Sequence, residues 1–192
     1  MSRPKQGAYK DSAKGKIESA FWTVLENEGF NSVTMLRLAQ ESGLNRNTIY
    51  YHFNNIQEIS LFAFNNIFTY DTGQVFINVI LSDCSISSSV LKDSELHSVV
   101  KKIHLFSKSE SPLLIAIVKE FLKKAWFSNV GISTKTLSRS DKMQIEYIVS
   151  GFISVIGNSE YINDFSILKT LPDCLIGKAA INTLKKIAAK QH

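Results

Sequence analysis

The chain has 192 residues, 44% hydrophobic and 20% charged, with a formal charge of +5. That make-up is ordinary for a soluble globular protein and long enough for one small unit plus one core-bearing domain. No apolar run reaches the ~18 residues of a membrane span, and the positive balance favours a polyanionic partner. Cys84 and Cys174 lie far apart with no metal-type spacing, which fits the thiols of a reducing, cytoplasmic setting. Pro is scarce and Gly modest, so long helices are permitted.

Residues 1–16 carry Arg3, Lys5, Lys10, Lys14 and Lys16 against a single acid, Asp11. The segment is polar, unlike the apolar stretch of a secretory signal, and reads as a solvated basic arm. A first helix is expected from about Ser12 to Glu28. Ala13, Ile17, Ala20, Phe21, Val24 and Leu25 form its apolar stripe at helical spacing. Gly29 ends it, and Phe30 and Val33 should plug the unit that follows.

The stretch Thr34–Phe53, TMLRLAQESGLNRNTIYYHF, reads as two short helices around a tight turn. Thr34 is a good N-cap, because its hydroxyl can accept a free amide proton of the first turn. Met35, Leu38 and Ala39 share one face. Gly43 stands where a helix ends in a left-handed residue. Asn45 caps a second helix running to about Tyr51. Two such helices joined through a glycine turn make a helix-turn-helix. The second helix has one apolar anchor, Ile49, among Arg46, Asn47, Thr48, Tyr51 and His52. Arg and Asn can make paired hydrogen bonds to guanine and adenine edges in the major groove. Thr, Tyr and His suit phosphate contacts, which position without reading sequence. The same composition also suits an ordinary solvated helix.

Asn55-x-x-Glu58 resembles a capping box, and a long helix should follow to roughly Ile80, loosened near Gly73. Ser82 to Ser89 reads as a loop. A fifth helix is expected over Val90–Phe106, with His97 and His104 on one face as ordinary surface or pocket-rim histidines. Ser111-Pro112 opens a sixth helix to about Phe127. Its wet face is Lys119, Glu120, Lys123 and Lys124; Leu114, Ile117, Val118, Phe121, Leu122 and Trp126 line the other. Ser128 to Leu137 reads as a connection. The next helix, about Ser140 to Ile156, turns apolar or small all round in its second half, which implies burial on several sides. In a chain this short that points to a partner subunit, with Gly151 allowing close approach. Asn158 to Thr170 reads as an irregular link. A last helix starts near Pro172 and ends near Ala189, with Ile176, Ala179, Ala180, Leu184 and Ile187 on one side.

From Gly29 to Glu58 the chain resembles the DNA-binding core of the tetracycline-repressor (TetR) family of bacterial transcriptional regulators. The residues carrying the resemblance are Gly29-Phe30, Val33-Thr34, Leu38-Ala39, Ser42-Gly43-Leu44 and Thr48-Ile49-Tyr50-Tyr51-His52-Phe53. It implies an all-α chain with an N-terminal three-helix helix-turn-helix DNA-binding domain, followed by a helical regulatory and dimerisation domain. The division is expected at residues 1–56 and 57–192. The resemblance also implies that the basic arm lies beside DNA and that the helix after Phe53 is a lever between the two parts. It implies a homodimer formed by the last two long helices as a four-helix bundle. Two departures stand out. Ile56 occupies a place where relatives usually carry a phosphate-meeting lysine, and Leu36 one that is often charged or polar.

The expected function is sequence-specific transcriptional regulation on a near-palindromic double-stranded operator. Arg46 and Asn47 are the candidate base readers. Thr34, Thr48, Tyr50, Tyr51 and His52 are the candidates for backbone positioning, although Tyr50 follows the core anchor and can also pack. The resemblance implies a repressor released by an unknown small-molecule effector. Phe68, Phe121 and Trp126 are the candidate pocket aromatics, with plain core packing as the competing reading. An enzyme would need a nucleophile with its base, a phosphate loop or clustered ligands. The four histidines are scattered and no Glu-x-x-His pair occurs, so no catalytic function, cofactor or metal is expected. The alternative is a dimeric helical protein-interaction module that has lost DNA binding, which Ile56 and Leu36 favour.

Overall fold

The computed structural model describes residues 9, 11–68, 93–162 and 174–191, and these residues form helices and turns with no strand. The fold is all-α. The chain divides into two compact units, Met1–Ile67 and Phe68–His192.

In the first unit, α1 spans Ala13–Glu28, α2 Met35–Ser42, α3 Arg46–His52 and α4 Ile56–Ile67. A short 3-10 turn, Phe30–Ser32, links α1 to α2. Each boundary has a local chemical cause. Ser12 caps α1 by accepting from the Gly15 amide at 3.1 Å. Thr34 Oγ1 accepts from the Arg37 amide at 3.1 Å, and Gly43 closes α2 in the left-handed region at φ 67. The Asn45 side chain accepts from the Asn47 amide at 2.9 Å to start α3. Helix α1 packs against α2, α3 and α4. Ile17, Phe21 and Val24 of α1, Leu38 of α2, Ile49 of α3 and Ile59 of α4 are fully buried together.

The expected capping box at Asn55 is only half formed. Asn55 Oδ1 accepts from the Glu58 amide at 2.9 Å, but the Glu58 carboxylate reaches one residue further, to the amide and side-chain nitrogen of Asn54. These bonds hold the Glu58 carboxyl below its ordinary pKa, the Asn54 side chain contributing most. The described part of α4 ends at Ile67. Its expected continuation through Gly73 to Ile80, the Ser82–Ser89 loop with Cys84, and the Val90 start of the next helix lie outside the described residues.

The second unit contains α5 (Asp93–Lys108), α6 (Pro112–Val130), α7 (Arg139–Gly157), the single turn α8 (Ser159–Ile162) and α9 (Leu175–Ala189). Helices α5, α6 and α7 pack on one another, and α9 packs on α6 and α7. Ile103, Phe106, Leu114, Val118, Leu122, Trp126, Val149 and Ile156 fill the core. Helix α6 runs three residues past the expected Phe127, because Gly131, at φ 76, rather than the Ser-rich sequence, supplies the stop. Lys119 and Lys123, expected on a wet face, instead grip Glu146 of α7 at 2.5 and 2.7 Å. The two ammonium groups hold the Glu146 carboxyl at about 2.

Helix α7 begins with a capping box in which Ser138 and Asp141 satisfy each other's backbone amides. Lys190 meets Asp141 at 3.1 Å, so the end of α9 is tied to the start of α7. At its other end, α7 touches α5 closely. A Cβ built on Gly157 would lie 2.9 Å from the Ser107 carbonyl carbon and oxygen, so glycine lets the backbones meet. Nearby, His104 Nδ1 lies 2.6 Å from the Ile156 carbonyl oxygen, which can only accept, so that nitrogen donates. His97 is exposed. Val149, Ile153 and Ile156 of α7 are buried, yet Met143, Tyr147, Gly151 and Ser154 are exposed in the single chain. The expected burial on several sides is therefore met on one side only. Leu175 and Ile176 at the start of α9 are exposed as well. The link after Asn158 contains helical residues to Ile162, and its remainder and Pro172 lie outside the described residues.

No helix among the described residues is long and apolar enough to cross a membrane. No group of three or more His, Cys, Asp or Glu that could hold a metal ion occurs among them either.

Candidate nucleic-acid interface

Helix α3 is held by one side chain. Ile49 is fully buried, and the Phe53 amide, donating to the Ile49 carbonyl at 2.9 Å, turns the chain out of the helix. Phe53 is buried against the Phe62 ring of α4, with centroids 5.1 Å apart. Lys14 of α1 caps this aromatic pair, its ammonium 5.7 Å from the Phe53 centroid and 5.5 Å from that of Phe62. A desolvating ring face attracts a cation and leaves its charge near the surface. The contact fixes the exit of α3 from two sides, α1 and α4.

The candidate residues lie on α3 and at the start of α2. Arg46, Asn47, Tyr50 and Tyr51 are exposed, Thr48 and His52 are half-buried, and Thr34 is exposed at the start of α2. Tyr51 is 84% exposed, with its ring edge-to-face against His52 at 5.0 Å. A large aromatic left this open has no role in the unit's own core. Arg46 lies over its i+4 neighbour Tyr50. Its guanidinium carbon is 5.4 Å from the ring centroid and Nη2 is 3.1 Å from the hydroxyl oxygen. Arg46 and Tyr50 thus act as one group.

Arg37, on α2, is committed elsewhere. Nη2 lies 2.6 Å from Glu28 and 2.8 Å from Glu41, and Nε adds contacts to the Glu28 carboxylate. The Arg37 hydrogen bonds hold the Glu28 carboxyl below its usual range, and Glu28 and Glu41 raise Arg37 in return. A guanidinium neutralised by two acids is a poor phosphate ligand, so the positive charge offered by the helix-turn-helix rests on Arg46. Leu36 is 55% exposed in the first turn of α2, an apolar side chain on the surface.

Sequence reasoning missed Tyr9. Its hydroxyl donates to Glu18 Oε2 at 2.8 Å, and Asn66 Nδ2 donates to both that hydroxyl and the same carboxylate oxygen, at 2.6 and 2.9 Å. Burial and the neighbouring Glu18 carboxylate push the Tyr9 phenol above its ordinary pKa. The root of the basic arm is thereby bonded to α1 and to the end of α4. No local pattern announces this, because Asn66 lies 57 residues away.

In the second unit the three candidate pocket aromatics are in packed surroundings. The Phe68 and Phe121 rings lie 4.7 Å apart. Trp126 is 2% exposed, edge-to-face with Phe152, and its Nε1–H has no acceptor among the described residues.

Residues 19–61 match the family model for bacterial regulatory proteins of the tetR family. The match covers α2 and α3, most of α1 and the first half of α4. Among solved structures, the TetR family repressor AlkX from Dietzia sp. strain DQ12-45-1b, implicated in biodegradation of n-alkanes, is similar at 18% identity. The alignment covers 93% of this chain and 98% of that one, with a TM-score of 0.45. No curated protein matches the chain. Residues 19–61 therefore carry the helix-turn-helix domain of the tetR family of bacterial regulatory proteins, a DNA-binding unit.

Proposed function

We propose that the protein is a homodimeric repressor that reads a near-palindromic operator with α3 and leaves it when a small molecule binds the second unit. The observation that carries the reading is the exposed polar face of α3, hung from the single buried anchor Ile49. Arg46 and Asn47 read base edges; Thr34, Thr48, Tyr51 and His52 meet the phosphate backbone. Tyr50 serves this face beside Arg46. With two-fold symmetry, two copies of α3 enter major grooves roughly 34–36 Å apart, or a multiple of that.

The second copy docks on α7 and α9. Supporting this, Tyr147 is 81% and Leu175 84% exposed, and Met143, Gly151 and Ile176 extend the open apolar or small surface. Exposed apolar side chains gathered on two neighbouring helices mark an interaction surface. Effector release is a population shift, and it requires a ligand that binds one state better than the other. Phe68, Phe121 and Trp126 are the proposed contacts of that ligand. The Trp126 N–H supports the assignment: it has no acceptor among the described residues, a buried unpaired donor costs about 1–3 kcal/mol, and a ligand oxygen would relieve it.

Selection of duplexes from a random library by the purified protein tests this function. Enrichment of a two-fold-symmetric sequence is expected. Enrichment of no sequence, with retention of helical content, would leave the chain as a helical interaction module instead.

A further inference from the structure

Resting on the DNA-reading function above, we propose that Tyr50 is a positioning residue for Arg46 rather than a DNA-backbone contact, and that it sets the specificity of the base pair that Arg46 reads. Arg46 opens α3 and Tyr50 lies four residues on, so the two side chains share one face. The guanidinium donates to the hydroxyl oxygen at 3.1 Å, with its carbon 5.4 Å from the ring centroid. Together these contacts hold it at the hydroxyl end of the ring. Tyr50 is 43% exposed, so its ring is not held for the sake of the core. A free surface arginine loses side-chain freedom when it docks on a base, and a partner that holds it before docking reduces that loss. Arginine has five N–H donors; one is used on Tyr50, which leaves enough for the bidentate grip on guanine O6 and N7. The base pair read by Arg46 is therefore a guanine pair, recognised by a guanidinium already held beside its tyrosine.

The test uses full-length protein and a duplex that the wild type has selected from a random library, together with single-base-pair variants of that duplex. Arg46→Ala identifies the base pair at which discrimination disappears. Tyr50→Leu should lower discrimination at that same pair by about two- to fivefold, the scale of an exposed cation–π contact, and leave the salt dependence unchanged. Arg46→Ala combined with Tyr50→Leu should lose no more there than Arg46→Ala alone. Tyr50→Phe keeps the ring and should fall between wild type and Tyr50→Leu, which keeps the test alive if the leucine variant unfolds. An equal loss on every duplex, with the salt slope reduced by about one, would make Tyr50 a phosphate contact and overturn the proposal. Additive losses in the double variant would overturn it too. A wild type that selects no sequence removes the DNA-reading function first, before any variant is made.

Discussion

Gly157 and Gly151 lie in the same helix and make opposite predictions. At Gly157 a methyl group would meet the Ser107 carbonyl carbon and oxygen at 2.9 Å and the Lys108 nitrogen at 3.2 Å. All three are backbone atoms of α5, which cannot rotate aside. Ordinary contact begins near 3.4 Å, so α5 and α7 must separate by about half an ångström, and overpacking of this kind costs about 1–3 kcal/mol. The helix gains at most about 0.5–1 kcal/mol from replacing glycine by alanine, and less at its last residue. Gly157→Ala should therefore destabilise the second unit by about 1–2 kcal/mol. At Gly151 nothing lies within 4 Å of the added carbon, so Gly151→Ala should stabilise dilute protein by about 0.5–1 kcal/mol. Urea unfolding followed by Trp126 fluorescence, in a Trp22→Phe background, reads the second unit. A Gly157→Ala protein at least as stable as its parent would refute the close approach of α5 and α7. A Gly151→Ala loss that appears only at high protein concentration would place the second copy's helix against that glycine.

The remaining predictions concern the anchors and the charges. Ile49→Ala should cost the first unit about 2–5 kcal/mol, since α3 has no other fully buried side chain, and amide hydrogen exchange in α3 should rise with it. Thr34→Ala removes the α2 cap and should cost about 1 kcal/mol, read by thermal unfolding, with Thr34→Ser recovering most of it. The folded Glu146 carboxyl titrates at about 2 against an ordinary 4.5, so its contribution is complete above about pH 4.5 and is lost as the pH falls towards 2. Because its side chain is 46% exposed, screening reduces that contribution to about 1 kcal/mol. Glu146→Gln should remove that part of the pH dependence in acid unfolding, and an unchanged acid profile would contradict the Lys119–Glu146–Lys123 contact. Tyr147→Asp should shift the sedimentation coefficient from dimer to monomer at micromolar protein without changing helical content.

The parts of the fold that were legible in the sequence are those with local causes. Thr34, Asn45 and Ser111 cap helices because a short polar side chain reaches an amide two or three residues ahead. Gly43 marks its turn for an equally local reason, and Ile49 stands out as the one apolar residue in a polar helix. What escaped is what distance in sequence hides. Lys119 and Lys123 looked solvated because their partner, Glu146, belongs to another helix. Gly157, which no local pattern marked, meets the α5 backbone, while Gly151 was read as facing a partner subunit. Glu58 looked like the third helical residue of a capping box, but its two carboxylate oxygens go to Asn54, whose amide and side chain together offer more donors. At the candidate interface the sequence named the residue types, while only the structure put the Arg46 guanidinium over Tyr50 and tied up Arg37 with Glu28 and Glu41.

The central claim is that α3 reads DNA sequence. Fluorescence anisotropy of the purified protein on DNA from upstream of its own gene, against a shuffled duplex at the same salt, tests it most directly. Tight binding to the upstream fragment, weak binding to the shuffled duplex, and loss of the difference in Arg46→Ala are expected. Equal binding of wild type and Arg46→Ala to both duplexes, or no binding by either even at low salt, would contradict it.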